Sequence, residues 1–377
     1  MELAAEQGAE HLLAEVDKRL ATIQASRSQV SWRQRPAFVR ELDALRGLIF
    51  GRLAELDRPA ALDRGFIFLD LARRVRTRVK DREGALAEVF RRAAEDLGAL
   101  VGPGDPSLVG PLAEAVAQDP AAWAEWLEPL LAVASRDFAD GLLHRLVAQA
   151  GPAPGLTSAI RRVADAAGEV DAYRATYSAE ALKTPDVGSE VARRLLAAGR
   201  IAEAGQVLEA SRPPPGKRPR TWGQAAEQAA FAWEGAWIEY LEQTGQTDAA
   251  QAVRWTSFER TLSVERARDF ITRLSGFADV EAEERAFAHA AAHPEFERGL
   301  AFLMSWPALR EAAQMIQRRP EEAAVDAERA ELWAGRLRAR YPAASERLLR
   351  SAAAAAFQRR DFGAADRLTA EADAIEV

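Results

Sequence analysis

Two histidines have the spacing of metal ligands on a helix. His289 and His293 stand four residues apart, and Glu297 follows after four more. A continuous helix would direct all three side chains from one face, where they could hold a metal ion. Pro294 stands between them, however, and proline favours the first turn of a new helix over a helix interior. We therefore predict packing or surface roles for these residues, with no metal site and no cofactor.

A run of basic residues is the feature best suited to contacting phosphate groups. The run consists of Arg73, Arg74, Arg76, Arg78, Lys80 and Arg82, and the segment 212–220 adds four further basic residues. Cationic side chains neutralise nucleic-acid phosphates, so the candidate phosphate-binding residues are Arg73, Arg76, Arg78 and Lys80. The whole sequence, however, has 50 basic and 57 acidic residues and a net charge of −7. A solvated or partner-facing surface is therefore favoured, and nucleic-acid binding is the alternative.

Aromatic residues concentrate between Trp222 and Trp255 and could line a groove for a peptide. Trp233 and Trp237 are neighbours at i,i+4 on a predicted helix, and Tyr240 continues the same face. Nearby glutamates would favour a basic ligand. The candidate partner-binding residues are Trp233, Trp237, Tyr240 and Trp255. The competing interpretation, which we favour, is that these large rings fill space in the core.

The sequence contains no recognisable catalytic motif. It has no cysteine and only four histidines, which excludes thiolate chemistry and leaves little material for acid–base catalysis. A phosphate-binding loop, an HExxH helix and a nucleophile elbow are also missing. We predict that the protein is not an enzyme and has no catalytic residues.

A helical period of 3.6 residues dominates the chain and predicts an all-α fold. One apolar stripe contains Phe68, Leu71, Ala72, Val75 and Val79, while the arginines between them fall on the remaining surface. Prolines stand where helices would begin, at Pro36, Pro59, Pro120, Pro307 and Pro342. The pattern indicates roughly twenty helices joined by short connections.

Weak internal repeats favour an α-solenoid of antiparallel helical hairpins. The stretch LLAAGRIAEA has Gly199 at its predicted turn, and YLEQTGQTDAA has Gly245, 46 residues later. This order of helix, tight turn and small-residue helix is typical of tetratricopeptide-like repeats. The spacing is irregular and consensus aromatic and proline positions are missing, so the predicted superhelix is a degenerate one.

The proline-rich basic segment 211–221 predicts a division between two helical lobes, residues 1–210 and 222–377. The same composition on both sides also fits one continuous solenoid. The sequence begins without a secretory signal pattern and contains no apolar run long enough to span a bilayer. We therefore expect a cytoplasmic protein.

Five segments resemble an uncharacterised family of alanine- and arginine-rich helical proteins, mainly from proteobacteria, known as a domain of unknown function. These segments are residues 31–56, 66–100, 252–270, 279–285 and 301–307, and the resemblance spans nearly the whole chain. The resemblance implies helical-repeat architecture and supplies no catalytic residue. Related segments accompany zinc-binding SWIM modules in other proteins, but the ligands of that module are absent here. The predicted function is a non-catalytic scaffold that binds a protein or peptide.

Overall fold

The structure, a computed structural model, describes residues 2–101, 108–149, 154–214 and 223–375. About 80% of the chain is helical, and the described residues contain no strand. The α-helices are α1 (Glu2–Ala25), α2 (Arg35–Gly47), α3 (Ala54–Leu56), α4 (Arg58–Arg78), α5 (Ala85–Leu100), α6 (Val109–Gln118), α7 (Pro120–Val133), α8 (Arg136–Ala148), α9 (Pro154–Ala167), α10 (Val170–Ala175), α11 (Pro185–Ala197), α12 (Ile201–Ala210), α13 (Gln224–Gln243), α14 (Thr247–Thr261), α15 (Val264–Ile271), α16 (Ala278–Ala291), α17 (Phe296–Ser305), α18 (Leu309–Arg318), α19 (Ala327–Leu337), α20 (Pro342–Gln358) and α21 (Phe362–Asp373). A π-helical turn, Leu48–Leu53, joins α2 to α3. The predicted all-α class and helix number are confirmed.

The apolar stripe predicted on α4 is buried. Phe68, Leu71 and Val75 are each at most 1% exposed, and the ring of Phe68 lies 5.2 Å from that of Phe90 on α5. Burial of such a stripe supplies most of the stability of a helix within a protein. The period of the sequence therefore identified the packed face of this helix correctly.

Four of the five marked prolines begin helices. Pro36, Pro59, Pro120 and Pro342 occupy the first or second position of α2, α4, α7 and α20. Asp119 precedes Pro120, and its side chain accepts a hydrogen bond from the backbone N–H of Ala122 at 3.1 Å. The prediction was wrong for Pro307, which lies in the turn ahead of α18 because that helix starts at Leu309.

The chain forms two compact units. One comprises Met1–Lys183 with Ala197–Gly199, and the other comprises Thr184–Leu196 with Arg200–Val377. The division falls ahead of the predicted linker at 211–221, and residues 215–222, including Trp222 and most of the basic linker, lie outside the described residues. The predicted lobes, 1–210 and 222–377, stay a prediction.

The amino-terminal unit mainly packs helices that are next, or next but one, to each other in the sequence, and α1 also packs on α4 and α2 on α5. Helix α5 packs on α7, α7 on α9 and α6 on α8, while α4 covers α5. Gly98 marks the closest approach of α5 to α7, because a Cβ atom there would lie 2.2 Å from the backbone oxygen of Leu130. Only glycine permits two backbones to come this close.

The carboxy-terminal unit uses the same neighbour packing. Successive helices from α12 to α15 pack pairwise, and α20 packs against α18, α19 and α21. Gly299 allows a similar close approach of α17 to α16. A Cβ atom at Gly299 would lie 2.2 Å from the backbone oxygen of Ala290. Leu300, Leu303 and Met304 of α17 are fully buried in the core of this unit.

The turn between α13 and α14 has the geometry that its sequence predicted. Gly245 adopts a left-handed φ of 74°, and the N–H of Gln246 donates to the carbonyl of Leu241 at 2.8 Å. This is the Schellman arrangement that ends many helices. Gly199 has a φ of 72°, and Arg200 donates to Leu195 in the same way at 2.8 Å. The two similar sequences therefore make similar helix ends.

We expect Gly245→Ala to destabilise the protein by about 1 kcal/mol, because a Cβ atom is strained at positive φ. Gly245 has open space around it, so the loss reflects backbone strain alone. Urea unfolding of the purified variant measures the effect. Gly245→Asn is the control and should lose less, since asparagine tolerates this conformation. Equal stability of the alanine variant and the original protein would contradict the assignment.

In the described part of the chain, no helix has the length and apolarity needed to cross a membrane.

Candidate functional site

The histidine pair lies at the end of α16 and does not form a metal centre with Glu297. The ring of His289 is hydrogen-bonded to the backbone oxygen of Glu259 at 2.9 Å, and the rings of His289 and His293 are 6.5 Å apart. Glu297 belongs to α17 and pairs with Arg329. Among the residues described, no three His, Asp or Glu side chains are grouped so that they could hold a metal ion.

Three of the four candidate aromatic residues form a ladder along α13. Trp233 stacks on Trp237 with ring centroids 5.5 Å apart, and Trp237 stacks on Tyr240 at 5.1 Å. Trp233 is 6% exposed and donates its indole N–H to the backbone oxygen of Leu208. Trp237 and Tyr240 are half-buried, and the guanidinium of Arg212 lies 4.9 Å from the Trp237 ring. The ladder thus packs mainly within the chain.

Trp255, the fourth candidate, lies in the core of the carboxy-terminal unit. It is 8% exposed and its ring lies 5.2 Å from the rings of both Phe258 and Phe270. The guanidinium of Arg285 covers it at 3.9 Å. Burial of Trp233 and Trp255 leaves only parts of Trp237 and Tyr240 accessible to a partner.

The basic run is divided between surface ion pairs and a buried residue. Arg73 donates to Asp119 at 2.8 Å. Arg76 forms a bidentate ion pair with Glu125, and its guanidinium lies 4.9 Å from the ring of Trp126. The hydrogen bonds to Glu125 raise the pKa of Arg76 above its usual value, although burial opposes the shift. Both cations are therefore engaged by carboxylates of α7 or its cap.

The prediction that Arg78 lies on the solvent-facing side of α4 was wrong. Arg78 is only 9% exposed, because it is the last residue of α4 and turns back toward the end of α1. Its guanidinium donates to the backbone oxygens of Ser28 and Ile23 and to the hydroxyl of Ser26, at 2.8 to 3.2 Å. These bonds satisfy a backbone carbonyl in the last turn of α1 and two oxygen acceptors in the segment that follows this helix. Lys80 is exposed, and its backbone oxygen accepts from Arg35.

The basic run borders an open groove of about 570 Å³ formed by α4, α6 and α7. Trp123 and Trp126 contribute aromatic surface to its lining, and each is 4% exposed. Three basic and three acidic residues also line the groove, so the formal charges of its lining cancel. These charged residues are Asp70, Arg73, Arg74, Arg76, Asp119 and Glu125.

Two charged residues of this groove have no partner within the described chain. Asp70 and Arg74 lie one turn apart on α4 and are exposed. Neither side chain makes a hydrogen bond or ion pair to a described residue. The amide of Gln118 on α6 also lines the groove. The groove therefore offers an unpaired carboxylate and an unpaired guanidinium beside a partly aromatic floor.

Sequence reasoning found the basic side of this groove and missed its acidic side. Asp119 serves two groups at once, since one carboxylate oxygen caps α7 and the other binds Arg73. Residues 119–125 are about 46 to 49 positions from their arginine partners. Pro120 did signal a helix start, but nothing in the sequence specified which helix would lie opposite.

A network of charges around the buried Arg254 joins α13, α14 and α15 in the other unit. Arg254 is 1% exposed and donates to Asp269 at 2.6 Å, to Gln251 at 3.1 Å and to Glu242. Burial opposes ionisation of Asp269, but Arg254 and Arg273 hold the pKa of Asp269 below its usual value. Carboxylates on two other helices thus compensate the buried guanidinium, which indicates a structural role.

Comparison with known proteins identifies the family of this chain. No curated protein matches this chain. The model of a family of unknown function, DUF6880, matches residues 1–128 and 144–376 and therefore nearly the whole length. The chain belongs to this family of unknown function, DUF6880.

Proposed function

We propose that this protein is a non-catalytic helical-repeat scaffold that binds a peptide segment of a protein partner in the groove of α4, α6 and α7. The observation that carries the proposal is the open groove, which is lined by Trp123 and Trp126 and by the unpaired, oppositely charged side chains of Asp70 and Arg74. A peptide can supply both complementary charges and apolar side chains within a few residues.

The packing within each unit supports a repeat architecture. Helix α5 contacts α7 and α7 contacts α9, while α6 contacts α8. Contacts between alternate helices are typical of hairpins stacked side by side, as in an α-solenoid. We propose such stacking for the helices of the amino-terminal unit. Stacked hairpins leave extended surfaces between neighbouring helices, and such surfaces suit extended ligands.

The charge arrangement favours a peptide over a nucleic acid. Of the four candidate phosphate-binding residues, Arg73 and Arg76 are paired with carboxylates and Arg78 is buried. A nucleic-acid phosphate would have to displace Asp119 and Glu125, and their negative charges would repel it. A peptide of mixed charge can bind Asp70 and Arg74 without breaking either pair.

The test is a selection of peptides from a random display library on the full-length protein, followed by anisotropy titration of the enriched peptides. We expect Asp70→Lys and Arg74→Glu each to weaken binding about tenfold or more, because each reverses the charge of one contact. Arg336→Glu is the matched control, since Arg336 is exposed on α19 in the other unit. It should leave the affinity within a factor of about two.

Two results would contradict this function. One is the absence of enriched peptides, or peptides that bind the groove variants and the original protein equally well. The other is tight binding of a labelled 20-base-pair duplex that weakens steeply with salt and with Arg74→Glu. That second result would support the nucleic-acid alternative instead.

A further inference from the structure

Arg193 of α11 and Arg266 of α15 converge on one point of α13. That point is Gly235, where a Cβ atom would lie 2.6 Å from Nη2 of Arg193 and 3.7 Å from Nη2 of Arg266. Because Gly235 has no side chain, the end of the Arg193 side chain can occupy the space beside it. Two guanidinium groups this close to one point repel each other unless negative charge lies near both.

Arg266 is partly buried, and it differs from Arg78 and Arg254, the two buried arginines among the described residues. Arg254 is held by Glu242 and Asp269, and Arg78 by three oxygen acceptors. Arg266 has no carboxylate within ion-pair distance in the described chain. Its Nε is buried without a hydrogen-bond partner, and the only described hydrogen bond of its guanidinium is a long one of 3.5 Å to the backbone oxygen of Phe231.

The surroundings of Arg266 make an uncompensated charge costly. Its guanidinium lies 4.5 Å from the ring of Phe231. Burial lowers the pKa of Arg266 below its usual value, although Glu234, Asp269 and Glu265 oppose the shift. Desolvated cations ordinarily have a bound counter-charge. None of the described carboxylates takes that place.

Arg193 is placed to share such a counter-charge. Its Nε pairs with Glu239 at 3.3 Å and its Nη2 donates to the backbone oxygen of Ala232 at 3.3 Å. Nη1 has no partner in the described chain, and the side chain is 45% exposed. A ligand from solvent can therefore approach the pair from the Arg193 side.

We propose that Arg193 and Arg266, brought together at Gly235, form a binding site for an oxyanion, either a carboxylate or a phosphate group. Planar guanidinium groups bind both kinds of group through paired hydrogen bonds. The site lies wholly in the carboxy-terminal unit and goes beyond the peptide groove of the amino-terminal unit.

The experiment is a thermal melt of the full-length protein in increasing sodium phosphate or sodium acetate, with sodium chloride added to keep the ionic strength constant. We expect a saturable rise of about 2–4 °C with at least one of the two anions. Arg193→Gln and Arg266→Gln should each weaken the apparent affinity about tenfold or more. Arg336→Gln is the matched control and should leave the response unchanged.

A second variant tests the site without removing a charge. Gly235→Ala introduces a methyl group 2.6 Å from Nη2 of Arg193, which displaces only the end of a flexible side chain. It should weaken the anion response while the fold is retained. A response to phosphate alone identifies a phosphate ligand, and a response to acetate alone a carboxylate ligand.

The proposal is overturned if neither anion gives a saturable rise, or if the arginine variants respond as the original protein does. The groove variant Asp70→Lys separates the two proposals, because it should lose peptide binding and keep the anion response.

Discussion

Replacement of Arg254 by alanine should lower the free energy of unfolding by about 3–5 kcal/mol. Arg254 is 1% exposed and ties together α13, α14 and α15 through Glu242, Gln251 and Asp269. Its loss leaves a cavity and removes the buried one of the two cations that compensate Glu242 and Asp269. Urea unfolding followed by circular dichroism measures the change.

Arg273 provides a matched control on the same two carboxylates. It pairs with Glu242 at 2.9 Å and with Asp269, but its side chain is 42% exposed. Exposed ion pairs contribute little because water screens them, so Arg273→Ala should cost less than about 1 kcal/mol. Similar losses for Arg254→Ala and Arg273→Ala would show that burial does not set the strength of this network.

Gly98→Ala should destabilise the protein by about 3 kcal/mol, at the upper end of the usual cost of overpacking. The added methyl would lie 2.2 Å from the backbone oxygen of Leu130 and 2.7 Å from the side chain of Val133. A backbone oxygen inside a helix cannot move aside alone, so α5 and α7 must separate along their contact. The melting temperature and the urea midpoint should both fall.

Gly335→Ala is the control for this substitution. Gly335 lies within α19 with nothing within 4 Å of its would-be Cβ. Alanine has the higher helix propensity, so this variant should be more stable by about 0.5–1 kcal/mol. A neutral or stabilising Gly98→Ala would contradict the close approach of the two helices.

The sequence predicted local features of this fold better than features that depend on distant residues. The stripe through Phe68 and Val75, the turn at Gly245 and the helix starts at Pro36 and Pro120 depend on residues within a few positions of one another. Helical period, glycine φ and proline φ follow from short-range sterics. Such features can be read from the chain without knowing its neighbours.

The candidate sites were harder to predict because they depend on which helices meet. The spacing of the arginines on α4 predicted that Arg78 faces solvent. The helix ends at this residue, however, and its buried guanidinium donates a hydrogen bond to the backbone oxygen of Ser28. The partners of Arg73 and Arg76 lie on or beside α7. Arg193, Gly235 and Arg266 come from three helices, and no spacing in the sequence relates them. Only the tertiary structure shows which of these residues lie together.

Neighbour packing also has a consequence for how the chain folds. Most of the close helix pairs, such as α8 with α9 and α20 with α21, are adjacent in the chain or separated by one helix. Contacts of short sequence separation need little loop closure, and chains of low contact order fold fast. Folding can therefore nucleate at a single hairpin and spread to the next, so that helices near the amino terminus can pack while later ones are still being synthesised.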